Sequence, residues 1–166
     1  MAEIIRIKDT RREFIDTLCE LADKDNKILL IVPDVGFLYL EQFQNRFPKQ
    51  FLNLGVTEQS SVIIATAMAL SGFKVYFYSM INFVAFRPFE MVRNAIHCHK
   101  ANVKLIGVKG SEKYKFLGFS HNTIFEDEDW YILHRYLHCY LPITNNEVKE
   151  NIIESYQSNE AAYIRL

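Results

Sequence analysis

The sequence predicts an α/β fold: one domain, residues 1–166, built on a mostly parallel, twisted sheet with helices on both faces. Three observations lead there. Short apolar runs recur along the chain. They are apolar throughout rather than alternating, which is the pattern of strands buried on both faces. Stretches with helical spacing separate them, and strands alternating with helices make a parallel sheet.

The elements follow in order. Phe14, Leu18 and Leu21 space like one face of a helix. Ile28–Val32 and Phe51–Leu54 read as strands. The segment from Glu58 to Ser71 is a helix, apolar almost all round and therefore expected to be buried, and Gly72 stops it. Val75–Tyr78 is the next strand. Phe89, Val92 and Ile96 mark a further helix, and Val103–Val108 is a strand. A helix begins near the acidic Glu126–Asp129. Cys139–Leu141 is a strand, a helix runs from about Asn146 to Tyr156, and Ala162–Arg165 closes the sheet. No repeat or linker divides the chain.

Composition removes several functional classes. The formal net charge is -1, so nothing draws the chain to nucleic acid or to an anionic membrane. Met1-Ala2-Glu3-Ile4-Ile5-Arg6 lacks a signal-peptide apolar region and no apolar run is long enough for a membrane span, so a cytoplasmic location is expected. The cysteines Cys19, Cys98 and Cys139 are odd in number and read as free buried thiols. With six glycines and no glycine-rich phosphate motif, the domain is not expected to cradle phosphates by itself. Aromatic residues make up 14% of the chain, which suits an interface or a stacking site.

In open parallel sheets ligands bind at the carboxyl ends of strands. That places the chemistry on three segments, read as loops: Gly55–Glu58, Ser79–Arg87 and Lys109–His121. In the first, Thr57 is placed as a helix N-cap and Glu58 in the first turn, near the positive end of the helix dipole. By spacing alone Glu58 is a helix-start carboxylate and nothing more. At the mouth of a buried helix, however, it must be paired, solvated at a cleft, or protonated. In the second, Phe83 and Phe86 form either a stacking wall for a flat ligand or core. Arg87 and Arg93 are solvated or paired. In the third, His121 lies where proton transfer or oxyanion stabilisation would be useful, though a structural role is equally open. His97-Cys98-His99 cannot converge on one ion, because successive helical residues point about 100° apart. No residue of this chain is expected to bind metal.

Together these segments resemble the pyrimidine-binding domain of transketolases, over nearly the whole chain from Thr10-Arg11 to Arg165-Leu166. Phe47-Pro48 followed by Asn53-Leu54-Gly55-Val56-Thr57-Glu58-Gln59 is similar to the family's F-P-x-R-x-x-N-x-G-I-A-E-Q. Phe83–Arg87 continuing to Phe89-Glu90-Met91-Val92-Arg93 is similar to its aromatic motif, and Gly118-Phe119-Ser120-His121 with Glu126-Asp127 to its G-x-[ST]-H-Q-x-x-E-D.

The resemblance implies thiamine diphosphate as cofactor. Glu58 would contact the aminopyrimidine at N1′ and help it reach its imino tautomer. Met80, Phe83 and Phe86 would pack on that ring, with Met80 replacing a family aromatic. His121 matches a histidine near the reacting substrate, and Arg11 an arginine near the substrate phosphate. Lys109 stands where the family has a second histidine, and Leu117 where it has an aspartate that recognises substrate hydroxyls. The family's diphosphate and Mg2+ site, a G-D-G…N motif, is not in the sequence. The resemblance therefore implies a partner: a diphosphate-binding, N-terminal transketolase-like subunit that carries the Mg2+, in an α2β2 complex acting on a small sugar or sugar phosphate. The implied reaction is transfer of a two-carbon ketol unit. Acyloin-forming or 2-oxoacid dehydrogenase-type enzymes, and a non-catalytic interface subunit, stand as alternatives.

Overall fold

The computed structural model describes residues 9–110 and 112–166; the N-terminal reading of Met1–Arg6 lies outside them. Six strands form one sheet in the order β2-β1-β3-β4-β6-β5, and every neighbouring pair is parallel. The strands are β1 Ile28–Val32, β2 Phe51–Asn53, β3 Lys74–Met80, β4 Val103–Val108, β5 His138–Tyr140 and β6 Ala162–Arg165. Helices α1 Thr10–Ala22, α2 Glu41–Arg46, α3 Glu58–Leu70, α4 Phe89–Met91, α5 Glu128–Leu133 and α6 Asn145–Gln157 connect them.

The alternation of side chains along each strand divides the core in two. Leu30, Tyr76, Tyr78, Ile106 and Ile164 face α1, α2 and α6. Leu29, Ile31, Phe77, Leu105 and Tyr163 face α3, the segment after β3, and α5. Both faces are covered, which is why the strands read as unbroken apolar runs. Close packing dictates one residue type in β4: a Cβ at Gly107 would lie 2.6 Å from the Tyr163 hydroxyl, so only glycine lets the tyrosine ring lie flat on the strand. The same strand buries Lys104 completely. Its Nζ donates to the carbonyls of Ser158 and Glu160, and burial pushes its pKa down to about 8.

Four expectations are corrected. The segment Ser79–Arg87 is not a loop: β3 runs to Met80 and a π-helical turn, Asn82–Phe86, follows directly, with a second π-helical turn at Val92–His97. Lys109–His121 contains a 3-10 stretch, Glu112–Ser120, broken at Gly118 where φ is 69°. Helix α3 is not buried all round, because Ile63, Ile64 and Leu70 are exposed on one face. Apolar composition along a helix does not by itself say which of its faces is buried. Cys98 is exposed and Cys139 half-buried, so of the three free thiols only Cys19 belongs to the core. Among the described residues no helix is long and apolar enough to cross a membrane.

Candidate active site

The chain leaves β1, passes across the sheet edge to β2, then returns to place β3 on the other side of β1. The strand order reverses between β1 and β3, and a crevice opens outside their carboxyl ends. A cavity of about 390 Å³ lies there. Asp34, Gly36, Phe37 and Tyr39 line it from the β1 side, Tyr78 and Met80 from β3, and Tyr114, Leu117 and His121 from the 3-10 region; Arg11 reaches in from α1. Four of the expected residues, Arg11, Met80, Leu117 and His121, therefore meet in one cavity. Lys109 is exposed and lines an adjoining cavity of about 430 Å³ that shares Arg11 and Tyr114.

Arg11 is not a loose cation. Its Nε donates to Asp9 Oδ1 at 2.8 Å and its Nη2 to Asp9 Oδ2 at 2.5 Å, while its guanidinium lies 4.1 Å from the centre of the Tyr39 ring. The Tyr39 hydroxyl donates to Asp9 Oδ2 at 2.6 Å. The hydrogen bond from Arg11, joined by that from Tyr39, holds the Asp9 carboxyl well below the usual carboxylate range. The Arg11 charge is thus matched inside the chain, and its orientation is fixed.

Glu58, Phe83 and Phe86 lie outside this cavity. Glu58 is the first residue of α3 and is 5% exposed. Burial of a carboxylate demands a partner, and Arg87 supplies it: Nη1 donates to Glu58 Oε1 at 2.5 Å. The same guanidinium lies 4.2 Å from the centre of the Phe83 ring. Arg93, by contrast, is exposed and donates from Nε to its neighbour Asn94. Thr57 does not cap α3 with its side chain; its hydroxyl donates to the Leu54 carbonyl at 2.8 Å, closing the turn that aims Glu58. Phe86 is half-buried and packs on the core beneath α3.

Phe83 links the two halves of the site. Its ring meets the His121 imidazole edge to face, centroids 5.0 Å apart. Asn82, which sequence reasoning passed over, holds that geometry from the neighbouring position. Its Nδ2 donates to the carbonyls of Phe119 at 3.2 Å and Asn122 at 3.3 Å, bracketing His121. On the far side Gly110 lies so close that a Cβ would meet the His121 carbonyl and Asn122 Oδ1. Asn82→Ala should lower stability by about 1–2 kcal/mol, the net worth of the two hydrogen bonds it removes. It should also erase the ring-to-ring nuclear Overhauser contact between Phe83 and His121 in labelled protein. An unchanged contact would assign the turn's order to its backbone alone.

A buried carboxylate joined through one guanidinium to an aromatic ring, with an imidazole against that ring, suits a flat nitrogen heterocycle that needs one face packed and one hydrogen bond satisfied. The comparisons with known proteins agree in kind. Residues 7–166 match the family model described as transketolase, pyrimidine binding domain. The chain belongs to that family. It is 36% identical over 115 residues to one subunit of the apulose-4-phosphate transketolase of Phocaeicola vulgatus, covering 69% of this chain and 37% of that relative. It is 27% identical over 164 residues to 1-deoxy-D-xylulose-5-phosphate synthase of Pasteurella multocida, covering 92% of this chain and 24% of that one. A solved structure described as a split gene transketolase, an inactive beta4 tetramer, superposes with a TM-score of 0.82 at 26% identity, covering 95% of this chain and 50% of its own. The chain thus spans about a third of the first of these transketolase-family relatives and half of the solved one.

Proposed function

We propose that this chain is the pyrimidine-binding subunit of a split transketolase-like enzyme. It works with a separate diphosphate-binding subunit, as α2β2, to transfer a two-carbon ketol unit between small sugars or sugar phosphates. One observation carries the reading: Glu58, buried at a strand-to-helix turn, shares one guanidinium with the Phe83 ring, and His121 stands at that ring's edge. In the family the bound thiamine diphosphate supplies the electron sink for making and breaking carbon–carbon bonds. On this chain Glu58 holds the proton at N1′ of the aminopyrimidine, Phe83 packs on the ring, and Met80 and Phe86 complete its surroundings. His121 is the polar group facing the reacting carbonyl and is placed for proton transfer. Arg11, Leu117 and Lys109 face the rest of the substrate. The Mg2+ belongs to the partner's diphosphate site.

The need for a partner is supported by the surface around the crevice. Phe37, Leu38 and Val56 are exposed at the carboxyl ends of β1 and β2, and Phe116, Phe119, Ile124 and Phe125 on the stretch leading from β4 to α5. Exposed apolar residues gathered around a site mark a surface that another molecule covers. The relatives described as one subunit of a transketolase and as a split gene product suit this reading, and an inactive assembly of one subunit type is what the chain should form without its partner. A cytoplasmic location completes the proposal.

Calorimetric titration with thiamine diphosphate and magnesium tests it. The chain alone should bind weakly or not at all, and the pair reconstituted with a diphosphate-binding subunit should bind stoichiometrically. Tight binding by the chain alone would overturn the two-subunit reading. A second reading, an acyloin-forming or 2-oxoacid-type enzyme, is favoured by one observation: Leu117 puts an apolar side chain into the cavity beside Met80 and Val108, where a hydroxylated substrate would need polar partners. Product analysis with ketose phosphate against pyruvate as donor separates the two.

A further inference from the structure

Among the described residues Arg87 is the one cation joined to both cofactor-facing groups, the Glu58 carboxylate at 2.5 Å and the Phe83 ring at 4.2 Å. A guanidinium is flat, donates hydrogen bonds along its edge and stacks on aromatic faces. Those are the same contacts that an aminopyrimidine would seek from a carboxylate and a phenyl ring. A guanidinium stacked 4.2 Å from the centre of the Phe83 ring leaves no room for a second flat group on that same face. The Arg87 backbone is pinned: its N–H donates to the Asn82 carbonyl at 2.9 Å and its own carbonyl accepts from Gln59 Nε2 at 3.4 Å. The side chain is not pinned in that way; it is 44% exposed and has open solvent to swing into.

We propose that Arg87 is an internal stand-in for the aminopyrimidine: its side chain holds Glu58 and Phe83 in their working positions and must withdraw for the cofactor ring to bind. The inference rests on the thiamine diphosphate reading of the site. Arg87 is a positioning residue here. It keeps the buried carboxylate partnered and correctly aimed, which a bare Glu58 at the mouth of α3 would not be. Its release opposes ring binding by the strength of a half-exposed ion pair plus a cation–π contact, roughly a tenfold effect on affinity.

The test uses the reconstituted two-subunit complex, with Arg87→Met in this chain, and two probes: thiamine diphosphate, and hydroxyethylthiazole diphosphate, which lacks the pyrimidine ring. Arg87→Met should tighten thiamine diphosphate binding by roughly tenfold and leave the ring-less probe unchanged. Arg87→Lys, which keeps the charge and loses the flat fork, should fall between. In the labelled chain alone, the Glu58 carboxyl carbon and Phe83 ring resonances should shift on Arg87→Met, and the melting temperature should fall, because the buried carboxylate loses its partner. Weaker thiamine diphosphate binding would make Arg87 a ligand of the ring and overturn the inference. Equal gains for both probes would overturn it too, because the ring-less probe has no pyrimidine to compete with Arg87 for Glu58 and Phe83. Unchanged Glu58 and Phe83 resonances would show that the pair does not exist in solution. If the wild-type complex binds the ring-less probe as tightly as the cofactor, the pyrimidine reading itself falls, a result distinct from all of these.

Discussion

Glu58→Gln or Glu58→Ala should lower the turnover of the reconstituted complex by at least about a hundredfold, the scale of one proton-transferring group. The expected loss is catalytic, with the fold intact. Glu58 stands at the first position of α3, where its charge interacts favourably with the helix dipole, a contribution of about 0.3–1 kcal/mol. Its ion-pair partner Arg87 is 44% exposed and can be rehydrated when the carboxylate is gone. No buried charge is orphaned, so the melting temperature should change little. Glu58→Gln separates two roles. It preserves the size of the side chain and one acceptor, so packing and cofactor affinity survive better than in Glu58→Ala, while the proton function is lost in both. Steady-state rates, cofactor affinity and thermal melts on the same samples check all three points. Full activity in Glu58→Gln would move the chemistry to another site and leave the non-catalytic interface reading standing.

Asp129→Ala should damage the fold strongly, with a loss of about 3 kcal/mol. Asp129 is fully buried in the first turn of α5. It accepts the Tyr163 hydroxyl at 2.5 Å and Arg165 Nη1 at 3.2 Å, and Arg165 also reaches Asp127 Oδ1 at 2.6 Å. The network ties β6, inside the sheet, to the turn that follows the His121 segment. Burial, and then the neighbouring Asp129 charge, raise the Tyr163 phenol well above its ordinary pKa, so it remains a donor across the usual range. Removing the carboxylate leaves a buried hydroxyl without an acceptor and Arg165 half compensated. Asp129→Asn keeps an acceptor for Tyr163 and should lose about half as much. Urea unfolding at neutral pH reads the difference directly; in a thermal scan about 3 kcal/mol corresponds to roughly 6–12 °C for a domain of this size. A melting temperature within about 2 °C of wild type, less than 1 kcal/mol on that scale, would show that the network does not carry the fold.

The Asp127 end of this network also explains part of a motif. Glu126-Asp127 reads in the sequence as part of an acidic helix start and as the tail of the histidine motif. In the fold Asp127 takes a left-handed backbone conformation, φ 58°, and pairs with Arg165 on the far strand β6. Part of what makes the motif recognisable is therefore structural: it anchors the segment that carries His121.

What the sequence by itself determined was local. The strands were legible because burial on both faces leaves a continuous apolar run, and Glu58 because a strand, a glycine and an apolar helix follow one another in Leu54, Gly55 and α3. The family was legible for the same reason: each motif is a short stretch whose spacing is fixed by its own turn. What only the tertiary structure decided was which segments meet. The reversal of strand order between β1 and β3, which opens the crevice, depends on pairing across the sheet, and periodicity within one strand says nothing of its neighbours. Tyr39, Tyr78 and Tyr114 come from three different elements and become one wall only there. The Arg87 pair with Glu58 spans 29 positions and the Asn82 bracket around His121 spans 37 and 40. The exposed side of α3, with Ile63, Ile64 and Leu70, is no less apolar than the side that packs on the sheet. Hydrophobicity is a property of the residue; its partner is a property of the fold.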